Sequence, residues 1–196
     1  MTSLVIGDSH VNRLRLYIGP GSSAADSYSI RELTTVKYYG ISGGLVTNNH
    51  HLRKFSSIVQ QINPHHLIVL LGGNDLDSPS PVELIVTKLV SFLTQLKHLY
   101  QLKTVTILSY FPRERTRLVS AELYTRRVNQ ANENLRINCF EHKLTYWKLR
   151  GFTNSRDPIL RDGVHLNNLG NYKLVRQIRG VFLHQLTSTG PNTTQS

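Results

Sequence analysis

A chain of 196 residues, 39% hydrophobic and 18% charged, has the length of one domain and can bury enough surface to fold without disulfide or metal staples. No apolar run approaches the ~18 residues a membrane span needs, and the single cysteine, Cys139, excludes an internal disulfide framework and suits a reducing compartment. The formal net charge of +11, from 23 Lys and Arg against 12 acidic residues, is more than a globular enzyme needs. It points to an anionic partner such as RNA, DNA or an anionic lipid surface, the alternative being a protein that is basic without one.

Leu4-Val5-Ile6 is a short apolar run of the kind buried on both faces of a parallel sheet. Because this strand starts at Ser3, no room for a leader is expected, and with it an intracellular location. Gly7 lets the backbone turn out of the strand into Asp8-Ser9-His10, and a short helix follows with Val11, Leu14 and Ile18 inward. Residues 19–34 lack periodicity and read as a loop. Val36–Ile41 reads as a second strand, followed by Ser42-Gly43-Gly44, and residues 46–62 as a helix with Leu52, Phe55, Val59 and Ile62 on one face. His66–Leu71 is the strongest strand signal and runs into Gly72-Gly73-Asn74-Asp75.

Ser80-Pro81-Val82-Glu83 has the pattern of a capping box with proline at the first helical position. The helix it opens carries Val82, Ile85, Val86, Leu89, Phe92, Leu93, Leu96 and Leu99 inward. Thr104–Phe111 is a fourth strand. Residues 120–139 are a helix with Ala121, Tyr124, Val128, Ala131 and Leu135 inward and Cys139 as a buried thiol. Leu144–Leu149 is a weaker fifth strand, residues 150–166 a loop, and Asn168–Leu186 a last helix with Tyr172, Val175, Ile178, Phe182 and Leu186 facing the core. Strands alternating with helices, without repeats or linkers, predict a three-layer α/β/α sandwich around a parallel sheet. One domain over residues 1–187 is expected, with 188–196 a polar, disordered tail.

Ligands of such sheets bind beyond the carboxyl ends of the strands, and the polar motifs fall there. Ser9 offers a hydroxyl, with a helix cap or a buried structural serine as the alternative reading. Gly43 offers a backbone N–H that nothing bulky shields, and Asn74 a side-chain amide. Asp162 and His165 stand three apart on one turn, so the carboxylate can accept from Nδ1–H and leave Nε2 free to take a proton from Ser9. Together these are the parts of a serine hydrolase, with the amides of Ser9 and Gly43 and the side chain of Asn74 as oxyanion donors. Asp8 and Asp75 read as hydrogen-bonding supports of their turns.

Gly-Asp-Ser at 7–9, Gly-Ile-Ser-Gly at 40–43, Gly-Gly-Asn-Asp at 72–75 and Asp-Gly-Val-His-Leu-Asn at 162–167 resemble, in order, the first, second, third and fifth blocks of the SGNH (GDSL-type) hydrolases. The resemblance spans residues 4–170. It implies a flavodoxin-like five-stranded sheet of order 2-1-3-4-5 and metal-free, cofactor-free hydrolysis of esters or thioesters through an acyl-serine. Ser9, Asp162 and His165 would be the triad, and Gly43 and Asn74 oxyanion donors. A small-molecule or lipid ester of short acyl chains is the expected substrate, with acetylesterase- or lipase-like activity. His10 departs from the pattern, standing where the first block often has leucine; it reads as exposed or structural, with lining the pocket as the alternative. In size, charge and the expected lack of a leader the chain also resembles the compact SGNH esterases of some retrotransposons, though no residue motif carries that likeness. It motivates the alternative function, a nucleic-acid-binding or assembly module on this scaffold with vestigial catalysis.

Arginines 113, 115, 117, 126 and 127 could contact phosphates or form a solvated, paired surface. Lys173, Arg176 and Arg179, within an arc of ~120° on the last helix, read as a solvated face. His50-His51 and His65-His66 lack the i, i+4 partner and carboxylate company of zinc or iron sites, and His66 is expected to begin a buried strand.

Overall fold

The computed structural model describes residues 2–19, 35–152 and 162–188. Five strands form one all-parallel sheet: β1 (Thr2–Gly7), β2 (Thr35–Gly40), β3 (His66–Leu70), β4 (Thr104–Leu108) and β5 (Thr145–Trp147). Their order is β2-β1-β3-β4-β5. The helices are α1 (Ser9–Tyr17), α2 (Asn49–Ile62), α3 (Gly73–Leu76), α4 (Val82–Leu99), α5 (Ala121–Glu141) and α6 (Asn168–Ser188).

The central strands are apolar without alternation because helices cover both faces of the sheet. Successive side chains split between two cores. Leu4, Ile6, Leu67, Val69, Leu71, Val105 and Ile107 pack with Phe55 and Val59 of α2, the apolar face of α4, and Tyr124, Val128 and Leu135 of α5. Val5, Ile68, Leu70 and Leu108 point the other way, against Val11 and Leu14 of α1 and Leu174, Val175, Ile178, Val181 and Phe182 of α6. These are the outer layers of a three-layer sandwich. Each such aliphatic side chain, removed wholly from water, contributes about 1.5–3 kcal/mol.

The register sets where chemistry can occur. Gly7 pairs with Gly40 on one side and Leu70 on the other, so β1, β2 and β3 all end at one level. A Cβ at Gly7 would come within 2.3 Å of the Leu70 carbonyl oxygen and 2.5 Å of Val11 Cγ2. Only glycine lets α1 turn back this close to the sheet.

Several local expectations are corrected. The capping box at Ser80 does not form: Pro81 itself is the N-cap, and no side chain caps the helix. Glu83 instead accepts a hydrogen bond from Gln130 on α5 (2.5 Å), so a tertiary partner displaced the local one. Leu99, the last residue of α4, is 67% exposed rather than inward. Tyr172 is also exposed, since Asn171, Leu174 and Val175 take the inward positions and its ring meets the Arg176 guanidinium. β5 spans only three residues. Of the expected irregular segments, residues 20–34, 153–161 and 189–196 lie outside the described residues, as does the side chain of Leu186.

Candidate active site

α1 begins at Ser9 because Asp8 caps it. The Asp8 backbone is extended (φ −87°, ψ −150°), and its side chain accepts the His10 amide at 2.9 Å. Ser9 therefore occupies the first turn of a helix just beyond the end of β1, and it is half-buried.

The second part comes from the turn before α6. Asp162 Oδ1 accepts the amides of Val164 (3.0 Å) and His165 (2.9 Å). Its Oδ2 lies 2.8 Å from His165 Nδ1. An ionised carboxylate can only accept, so Nδ1 carries the proton and Nε2 is the acceptor. That nitrogen lies 3.0 Å from Ser9 Oγ. Burial raises the Asp162 pKa, but the two amides and the imidazole outweigh it and hold the carboxyl well below its ordinary range. Gly163 adopts φ +70°, and its carbonyl accepts the amides of Glu114 (2.8 Å) and Arg115 (3.0 Å). Two amides beyond β4 thus tether the turn.

The third part lies beyond β2 and β3. Gly43 has φ +69°, a Cβ there would meet nothing within 4 Å, and the residue is exposed. Next to it, the Gly44 carbonyl accepts Asn74 Nδ2 at 3.1 Å. Asn12 of α1 donates to Ser42 Oγ at 3.3 Å, and a Cβ at Gly44 would stand 3.5 Å from Asp8 Cα. The Ser42–Gly44 loop is thereby set between the Ser9 turn and Asn74. All five candidates, Ser9, Gly43, Asn74, Asp162 and His165, gather at the carboxyl edge of the sheet. Asn74 differs from expectation in one respect: one of its two amide hydrogens is already engaged, leaving the other as a donor.

Asp8 and Asp75 are supports, as expected. Asp75 accepts the amides of Val46 (2.8 Å) and Thr47 (2.9 Å) and the Thr47 hydroxyl (2.7 Å), fixing the chain after the Gly43 loop. Burial pushes both carboxyls upward in pKa. Hydrogen bonds oppose it at Asp75; at Asp8 the Arg113 guanidinium opposes it first and the His10 amide second.

Three further groups take supporting places that the sequence did not disclose. Asp77 gathers the amides of Arg117, Leu118 and Val119. Arg113 is 6% exposed and donates to Asn74 Oδ1 at 3.1 Å. His10 is 3% exposed, which rules out the exposed half of its reading as exposed or structural. Its ring lies edge-on to Phe111 and 5.5 Å from His165, and neither ring nitrogen has a hydrogen-bond partner. It does line a cavity of about 10 Å³, with Asp8, Gly73, Tyr110, Arg113 and Tyr124. Burial, then the charges of Arg113, His165 and Arg13, keep the imidazole neutral.

The arginine cluster divides. Arg113 is internal, Arg127 donates to the carbonyls of Leu76 and Ser80, and Arg126 pairs with Glu122 at 3.5 Å. Three of the five are thus engaged within the fold. At least one histidine of each pair is likewise engaged within the fold: His51 Nδ1 accepts the Leu45 amide and His66 Nδ1 meets the Thr104 hydroxyl at 2.8 Å. Cys139 is buried, its thiol pushed up to about 12 by desolvation.

A parallel 2-1-3-4-5 sheet with these parts on its carboxyl edge has the form of an SGNH-type ester hydrolase. The chain belongs to the GDSL-like lipase/acylhydrolase family, whose model matches residues 5–173. Among solved structures it is similar to a GDSL-like lipase from Bacteroides thetaiotaomicron VPI-5482, at 13% identity, covering 94% of this chain and 88% of that one with a TM-score of 0.74. It is also similar to the psychrotrophic esterase EstA from Pseudoalteromonas sp., at 17% identity, 95% and 98% coverage and a TM-score of 0.71. A third likeness is to the family 3 carbohydrate esterase of Clostridium thermocellum, at 16% identity, 97% and 99% coverage and a TM-score of 0.72. At these identities the likeness is one of fold. No curated protein matches the sequence.

Proposed function

We propose that the protein hydrolyses carboxylic esters of short acyl chains through an acyl-serine intermediate. His165 Nε2 takes the Ser9 proton as Oγ attacks the carbonyl carbon, and the carbonyl π electrons move onto oxygen. The amides of Ser9 and Gly43 and the free Asn74 N–H hold that oxyanion, each donor being worth about 3–4 kcal/mol of barrier. Collapse expels the alcohol, which leaves with the proton from His165. Water, deprotonated by the same nitrogen, then attacks the acyl carbon and releases the acid and Ser9. Asp162 keeps Nδ1 protonated and stabilises the imidazolium.

The observation that carries this reading is the line from Ser9 Oγ to Nε2 at 3.0 Å and from Nδ1 to Asp162 at 2.8 Å. The reading takes residues 1–187 as the catalytic unit and an intracellular site of action. No described helix is long and apolar enough to cross a membrane. RNA or an anionic surface as a partner rests on the net charge of +11 alone.

The test is hydrolysis of p-nitrophenyl esters of increasing chain length by the wild type and Ser9→Ala. Acetate and butyrate should turn over, longer chains progressively less, and Ser9→Ala should lose activity by 10⁴-fold or more. EstA is described as inhibited by monoethylphosphonate, and a fluorophosphonate should likewise label this protein at Ser9. Turnover independent of Ser9, or labelling at another serine, would reject the mechanism. A rate that rises with chain length would reject the substrate class.

A further inference from the structure

Arg113 is almost fully buried, and burying a guanidinium is costly unless its donors are used. Nη1 donates to Asn74 Oδ1 at 3.1 Å, Nη2 lies 3.8 Å from Asp8 Oδ2, and Cζ sits 5.4 Å from the centroid of the Tyr124 ring. The backbone has been cleared for it: a Cβ at Gly73 would stand 2.9 Å from Nη2. Tyr124, which packs on the guanidinium, donates its hydroxyl to the Gly73 carbonyl at 3.2 Å. The guanidinium thus fills a shaped socket.

Its partners are the two elements whose relative placement the reaction needs. Asp8 divides its carboxylate, Oδ1 going to the His10 amide in the first turn of α1 and Oδ2 facing Arg113. Asn74 is held at both ends of its amide, Oδ1 by Arg113 and Nδ2 by the Gly44 carbonyl. A guanidinium only donates, so the oxygen of that amide must face Arg113 and the nitrogen must face away. With the planar amide pinned at both ends, the direction of its remaining N–H is fixed.

We propose that Arg113 is a positioning residue for catalysis, bridging the Asp8 cap of the Ser9 helix to the Asn74 amide so that the free N–H of Asn74 is aimed before substrate arrives. The inference rests on Asn74 being an oxyanion donor, as in the function proposed above. Preorganised donors act on the transition state and cost no reorganisation when charge develops. Losing Arg113 should therefore lower kcat and leave KM nearly unchanged.

The experiment is a double-mutant cycle on p-nitrophenyl acetate with Asn74→Ala, Arg113→Met, Arg113→Lys and each Arg113 variant combined with Asn74→Ala, with melting temperatures measured alongside. Asn74→Ala should lower kcat by about 10²–10³. Arg113→Met should lower it roughly ten- to hundredfold, and Arg113→Lys less, since an ammonium supplies a donor without the planar fork. In the Asn74→Ala background either Arg113 change should alter kcat by less than about twofold, because the group it aims is gone. Equal losses in both backgrounds, a change confined to KM, or an unchanged kcat in folded Arg113 variants would overturn the inference. If Arg113→Met fails to fold, the Arg113→Lys cycle decides by the same criteria. An undiminished kcat in Asn74→Ala would instead remove the oxyanion role of Asn74, and this inference with it, while leaving the Ser9–His165 pair standing.

Discussion

The acid–base half of the site and the oxyanion half are built on opposite plans. Asp162 and His165 belong to one turn, three residues apart, and Asp162 meets the His165 amide, the Val164 amide and the imidazole without leaving it. The turn is partly open to solvent, with the Asp162 side chain 43% exposed. Asn74 is fixed from Gly44 and Arg113, 30 and 39 residues away, and its supports Asp8, Arg113 and Tyr124 are buried. One half is a local device fastened to the fold by a few amides. The other is part of the fold. Damage to the first should therefore fall on rate alone, and damage to the second on rate and stability together.

The largest expected effect tests the first clause. Asp162→Asn should lower kcat for p-nitrophenyl acetate by about 10⁴, because the amide favours the wrong tautomer, while the melting temperature stays within a few degrees of wild type at pH 7. The depressed pKa of Asp162 means its stabilising contribution is present above the ordinary carboxylate range and lost on acidification. At 43% exposure that contribution is screened. Unfolding of Asp162→Asn at pH 7 would show that the turn is not local.

Next comes Gly72, which has φ +120° and whose Cβ would stand 2.3 Å from the Tyr110 hydroxyl. That hydroxyl donates to the Leu71 carbonyl at 2.9 Å. Gly72→Ala should destabilise by about 2–4 kcal/mol, through left-handed strain and overlap, measured as a lower urea midpoint. The surviving folded fraction should also show reduced kcat, since residues 73 and 74 follow directly. A midpoint equal to wild type would detach this half from the fold.

The smallest effect concerns His10. Its imidazole stays neutral when folded, through burial first and then Arg113, His165 and Arg13, with Asp162 opposing. As pH falls through the ordinary histidine range the unfolded chain binds a proton that the folded one refuses, so stability declines. His10→Leu, which also removes two unpaired buried nitrogens, should flatten the fall in melting temperature between pH 7 and 5 by a few degrees. An unchanged slope would place the acid sensitivity elsewhere.

The same contrast governs what the sequence discloses. The strands were legible because burial on both faces leaves an apolar run, as at His66–Leu71. The acid–base turn was legible because three-residue spacing is itself geometry. Asn74 was visible within Gly-Gly-Asn-Asp, but its second bond to Gly44 was not. Arg113 was indistinguishable from Arg115 and Arg117, since only the tertiary structure turns it inward. Asp77 escaped for the same reason, because the amides of Arg117, Leu118 and Val119 that it gathers lie far off in sequence and leave no periodic trace. Where local and distant partners compete, as at Glu83, the distant one won, and the apparent capping box was misleading.

The two glycines ahead of Asn74 have a practical consequence. Each leaves a hollow that a residue from the exit of β4 occupies, Tyr110 at Gly72 and Arg113 at Gly73. A designer grafting the Gly-Gly-Asn-Asp block onto another scaffold would therefore import two empty seats. The transplant should work only if the tyrosine and the arginine travel with it.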